Sequence, residues 1–205
     1  MNVPRAQICE IQSPIDGRKS SRGDPRRLDP HPIVHLVFTP GREIHPSRLF
    51  CQADLFRVPD NPHLYPSEYT YYADQKVVGR DGLPIFALAH TPYPNWDLVL
   101  AQVGNHLLTV GSAESHLLIG RQPVQAYLKP GSNDILFLVV GLSVQQLGRY
   151  VLRYTVYEEN GALLATCLGQ KFDVLPAGQY SGLRSSTHLT NSMAQLNIPG
   201  LRRRA

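Results

Sequence analysis

Between Arg149 and Tyr157 the chain alternates, with Tyr150, Leu152, Tyr154 and Val156 on one side and Arg153 and Thr155 on the other. A period of two is the period of a strand, and four large side chains on one side require that this face be buried. No helix accommodates the pattern. The turn that must follow is supplied by residues 158–161, Glu-Glu-Asn-Gly.

Once one strand is fixed, its neighbours can be sought. Val34, Leu36 and Phe38 share a face in residues 32–38, and residues 49–56 read the same way less cleanly. Residues 135–140 form a continuous apolar run, as a strand buried on both faces does. Apolar segments at 98–110, 115–119 and 124–128 are separated by Gly, Ser and Pro, and 163–167 with 171–175 read as a closing pair of strands. The 17 Pro and 16 Gly agree with many turns and against long helices.

One late segment changes period. Ser186 or Thr187 is placed to cap a short helix, in which Leu189, Met193 and Leu196 fall on one face before Pro199-Gly200 ends it. Core packing within the same domain is the ordinary use of such a stripe, and a dimer contact is the sharper alternative. Residues 58–96 hold six Pro, several Tyr and the turn signal Arg80-Asp81-Gly82, and read as a long central loop region. The predicted fold is therefore mainly β: an immunoglobulin-like β-sandwich with a short C-terminal helix and a long central loop region.

Charge is distributed unevenly along this frame. The formal net charge is only +4, but Arg supplies 16 of the 20 cationic side chains, and Arg suits two-point contacts with phosphate or carboxylate. Arg5, Arg18, Lys19, Arg22, Arg26 and Arg27 crowd the first 27 residues, and Arg202, Arg203 and Arg204 the last four. Residues 1–30 accordingly read as a basic, flexible N-terminal segment belonging to the same domain, 31–201 as the sandwich and 202–205 as a basic tail. Such ends are ordinarily solvated.

Several kinds of chemistry find no support in the pattern. Cys9, Cys51 and Cys167 are far apart, with no CxxC spacing, and are expected to be free thiols. His31 and His35 sit four apart, which in a strand separates them by roughly 13 Å, too far to share one metal ion. Gly141-Leu142-Ser143-Val144-Gln145 approximates a nucleophile elbow without its final Gly, so Ser143 is expected at a strand edge or turn. Glu114-Ser115-His116 with Asp97 or Asp134 contains the residue types of a hydrolytic triad, but nothing in the spacing fixes their geometry. No phosphate-binding glycine loop is present. The expectation is a protein that is not an enzyme and uses no cofactor. The N-terminal ten residues lack the apolar stretch of a signal peptide, and no run reaches the length of a membrane span, which predicts a soluble intracellular protein that does not engage a membrane.

Four segments, in order, resemble the velvet family of fungal regulators. They are Gln7-Ile8-Cys9-Glu10 running to Ser13-Pro14; Arg26-Arg27-Leu28-Asp29-Pro30-His31-Pro32-Ile33-Val34-His35-Leu36; Gly141-Leu142-Ser143-Val144 followed by Gly148-Arg149-Tyr150-Val151-Leu152-Arg153-Tyr154; and Phe172-Asp173-Val174 leading to Gly182-Leu183, Ser186-Thr187 and Leu189. They span the chain from about Arg5 to Leu201. The chain departs from the family pattern at His31, where a second Pro is usual, and at Gln145 and Leu147, where charges are usual.

The resemblance implies a sandwich related to Rel-homology domains, binding to double-stranded DNA, and pairing with other velvet-family proteins as a homo- or heterodimer. It also implies a contact with a methyltransferase-like regulator, location in the nucleus with shuttling to the cytoplasm, and control of development, sporulation and secondary metabolism. Arg26 and Arg27 match the family's DNA-contacting position directly. Arg18, Lys19 and Arg22 join them by proximity. The alternative is a velvet-fold interaction subunit that acts through partners while its basic ends stay solvated.

Overall fold

The computed structural model describes residues 6–21, 26–38, 45–58, 99–103, 106–109, 113–196 and 198–201. In chain order the strands begin with β1 (Ala6–Gln12), β2 (Asp16–Arg18), β3 (Ile33–Phe38), β4 (Leu49–Val58), β5 (Val99–Val103), β6 (His106–Thr109) and β7 (Leu118–Ile119). They continue with β8 (Val124–Gln125), β9 (Tyr127–Leu128), β10 (Ile135–Leu138), β11 (Ser143–Val144), β12 (Gly148–Glu158), β13 (Leu163–Leu168) and β14 (Phe172–Leu175). One α-helix, α1 (His188–Met193), follows them.

The alternating segment 149–157 lies in β12, at the centre of the larger sheet, whose order is β2-β14-β12-β4-β8. It pairs with β4 over ten residues, from Arg149↔Val58 to Glu158↔Leu49. Its apolar face, Tyr150, Leu152, Tyr154 and Val156, meets Leu49, Cys51, Ala53 and Leu55 of β4 in the main core. The second sheet, ordered β1-β3-β10-β9, closes over this core with Val34, Leu36, Ile135 and Phe137. Each such side chain taken out of water contributes about 1.5–3 kcal/mol. The architecture is a β-sandwich, as expected.

The continuous apolar run explains itself here. Ile135 and Phe137 of β10 point between the sheets, while Leu136 and Leu138 point outward under the C-terminal helix, joining Ile33, Met193 and Ile198 in a second core. Leu189 and Leu196 pack against the same cluster. The helix stripe is thus spent inside its own domain, and Thr187 caps the helix by accepting a hydrogen bond from the Thr190 amide.

Two readings are corrected. Strands β13 and β14 are not paired with each other: both lie on the same side of β12, β13 along Arg153–Tyr157 and β14 along Gly148–Tyr150. A strand eleven residues long can hold two short partners end to end, and local pattern cannot distinguish that from a hairpin. Residues 1–30 are not a flexible lead-in where they are described, because residues 6–12 form β1, antiparallel to β3. Glu10 disguised that strand by placing a charge at an inward position. Its carboxylate accepts hydrogen bonds from Tyr154 Oη at 2.5 Å, Ser13 Oγ at 2.5 Å and the Gln170 amide at 2.7 Å, so it ties the edge of one sheet to the other. Burial nevertheless pushes its pKa up. The expected central loop at 58–96 lies, beyond Val58, outside the described residues.

Candidate nucleic-acid interface

The five basic residues singled out in the sequence, Arg18, Lys19, Arg22, Arg26 and Arg27, all belong to one loop whose base is Asp16 and Asp29. Those two residues form an antiparallel bridge, with Asp29 N donating to Asp16 O at 2.9 Å and Asp16 N to Asp29 O at 3.3 Å. The outgoing arm is β2, which adds parallel to β14 and continues through Lys19 N to Leu175 O at 3.0 Å and Ser20 N to Val144 O at 2.9 Å. The returning arm lies on β11: Arg27 bridges Ser143, and Leu28 N donates to Leu142 O at 2.7 Å.

Three side chains or gaps hold the arms together. Ser20 Oγ accepts from Arg26 N at 2.6 Å and donates to Arg26 O at 3.0 Å, a clamp across the loop six residues wide. Leu28 plugs into the main core and passes so close to Gly17 that a Cβ there would stand 2.7 Å from Leu28 Cδ2. A side chain at position 17 would force the buried end of Leu28 to shift. Behind the loop, Arg184 donates its amide to Asp29 Oδ2 at 2.6 Å and its Nη2 to Asp16 Oδ2 at 2.8 Å. The hydrogen bond to Asp16 raises the Arg184 pKa further above its already high value. Arg184 so neutralises Asp16 through its guanidinium and orients Asp29 through its amide at the loop base.

Lys19, Arg26 and Arg27 are exposed and Arg18 is half-buried, while Arg22 lies outside the described residues. Arg27 Nη1 donates to the carbonyl of Gly200 at 2.8 Å, presented by a turn with φ of 83°. Among the described residues, Arg18, Lys19 and Arg27 form no ion pair with a carboxylate. Arginines on the sheets differ: Arg153 meets Asp54 at 2.6 Å, Arg149 meets Asp173 at 2.8 Å and Arg57 meets Glu114 at 3.2 Å.

The other sequence candidates go elsewhere. Ser115 Oγ accepts from the Leu55 amide at 3.2 Å and donates to Asp54 at 3.3 Å, Glu114 binds Arg57, and Asp134 holds Ser132, Lys129 and His35. No triad assembles from these described residues, and Asp97 lies outside them. Ser143 is fully buried on β11. His31 lines a cleft with Arg27, Asp29, Arg184, Ser186 and Thr187, while His35 turns to Asp134 at 3.5 Å. That cleft has a cavity volume of about 20 Å³, room for a water, where small-molecule sites take roughly 300 Å³ or more. All three cysteines are free thiols, and burial raises Cys51 and Cys167, the latter to about 12.

Sequence reasoning missed Ser20, Gly17, Asp16 and Arg184, the residues that shape the loop. Gly17 and Leu28 offered a faint signal, a small and a large apolar residue flanking a polar stretch. Arg184 offered none, since its partners lie 155 and 168 residues away.

The velvet factor family model matches residues 6–204. A probable velvet family sexual development regulator of Laccaria bicolor is 27% identical over 236 aligned residues, covering 95% of this chain and 68% of the relative. One of Schizophyllum commune, with the same description, is 26% identical over 220 aligned residues, covering 95% of this chain and 70% of the relative. The match runs through both sheets, the basic loop and the C-terminal helix, and the chain belongs to the velvet family.

Proposed function

We propose that this protein is a transcriptional regulator that binds double-stranded DNA through the clamped loop bearing Arg18, Lys19, Arg22, Arg26 and Arg27. The observation that supports the reading is the contrast in charge: on the sheets Arg57, Arg149 and Arg153 are neutralised by carboxylates, whereas exposed Lys19 and Arg27 and half-buried Arg18 on this loop have no carboxylate partner among the described residues. Basic side chains carried on a clamped backbone suit a phosphate backbone, where each neutralised phosphate releases condensed counterions. Clamping of both arms lowers the ordering cost on binding.

The two relatives are named as sexual development regulators, which supports a role in fungal development. We extend that role to sporulation and secondary metabolism, exercised in the nucleus as a homo- or heterodimer with other velvet-family proteins. The protein acts by binding and not by catalysis. A labelled duplex library across a salt series tests the reading: it predicts salt-sensitive, sequence-enriched binding. Absence of binding near physiological salt would move the function to partner proteins alone.

A further inference from the structure

A hydroxyl stands three residues after an arginine at Ser21, in Arg18-Lys19-Ser20-Ser21, and at Thr187, in Arg184-Ser185-Ser186-Thr187. Basic residues at that spacing are what one broad class of protein kinases reads before its target. The fold treats the two sites differently. Thr187 Oγ1 accepts from the Thr190 amide at 3.0 Å and donates to Gln12 Oε1 at 2.5 Å, so phosphorylation there would have to dismantle the helix cap. Ser20, the neighbouring hydroxyl, is 4% exposed and is spent on both sides of the Arg26 backbone. Ser21 is exposed, and its hydroxyl makes no hydrogen bond among the described residues. It sits on the outgoing arm of the loop, just past exposed Lys19 and half-buried Arg18.

We propose that Ser21 is a phosphorylation site for a kinase that recognises basic residues preceding its target, and that phosphate at this position switches the loop off. In the transfer, Ser21 Oγ attacks the γ-phosphorus of ATP, the bond to the β–γ bridging oxygen breaks, ADP leaves, and the hydroxyl proton passes to the kinase's catalytic carboxylate. The product adds a charge of about −1.5 to −2 to an arm on which Arg18 and Lys19 have no carboxylate partner among the described residues. Arg18 and Lys19 then have an internal phosphate to bind, in direct competition with an external one. The site stands on exposure and sequence context. Its effect on function rests on the DNA-binding reading above.

The test incubates the full chain with ATP and the catalytic subunit of cAMP-dependent protein kinase, then maps modified peptides by mass spectrometry. One phosphate at Ser21, absent from Ser21→Ala, is the expected result. No incorporation at Ser21, or incorporation at Ser20 or Thr187 in its place, would overturn the site. The phosphorylated protein is then titrated with duplex DNA beside the untreated protein. The switch predicts affinity lower by about tenfold or more and a salt slope shallower by about 1.4 to 1.8, in proportion to the phosphate charge. Unchanged affinity in a Ser21-phosphorylated protein would overturn the switch. Failure of the untreated protein to bind DNA would instead sink the DNA-binding reading, with the peptide map still deciding the site.

Discussion

Arginine does two different jobs in this molecule. On the larger sheet, Arg153 lies against Asp54 with both side chains mostly buried, and its guanidinium stands 5.6 Å from the centre of the Phe56 ring. Arg57 reaches Glu114 and also donates to Tyr150 Oη at 2.7 Å, fastening β4 to β12. On the loop between Asp16 and Asp29, Arg18, Lys19 and Arg27 have no carboxylate partner among the described residues, although the backbone that carries them is pinned at several points. The lesson is that backbone order and charge neutralisation are separable. The fold fixes the loop with main-chain bonds, Ser20 and Leu28, and not by neutralising Arg18, Lys19 or Arg27 with a carboxylate among the described residues.

The largest effect is expected from Arg153→Ala, which strands Asp54 in a mostly buried position; chemical denaturation should show a loss of about 3 kcal/mol, with the salt slope of DNA binding unchanged. Gly17→Ala forces a Cβ onto Leu28 and is expected to cost about 1–3 kcal/mol, measured as a lower Tm. It weakens DNA binding only as far as the loop shifts.

A smaller effect concerns Glu10. Because burial raises its folded pKa above the ordinary value of 4.5, the folded state holds this proton more tightly than the unfolded chain. Its contribution to stability is present below pH 4.5 and falls as pH rises through the folded pKa. The difference in Tm between the parent and Glu10→Gln, followed across that range, should carry this trend. The opposite slope would show that the hydrogen bonds from Ser13, Tyr154 and Gln170 outweigh burial. Smallest of all is Lys19→Ala, expected to leave stability within about 0.5 kcal/mol while making the salt slope shallower by about 0.9.

Legibility followed the same division between local and distant causes. The face of β12, the double burial of β10 and the Thr187 cap were readable because period and capping chemistry are local properties of the chain. β1 was missed as a strand because Glu10 occupies an inward position, and two of the three donors that hold its carboxylate there, Tyr154 and Gln170, lie far along the chain. The basic residues of the loop were visible from sequence, but their fixed arrangement was not. It depends on Ser20 reaching Arg26, and on Arg184 reaching back to Asp16 and Asp29. A run of Pro, Gly, Ser and Arg has the composition of a flexible tail until such tertiary partners are known.

The most direct test is duplex DNA binding measured from low to physiological salt for the parent and for Arg26→Ala with Arg27→Ala, with folding checked by thermal unfolding. The account predicts an unchanged Tm to within a few degrees, weaker binding to every sequence, and a slope of log affinity against log salt shallower by about two. An unchanged slope in a folded double variant would contradict it and place the DNA contact, if any, elsewhere on the molecule.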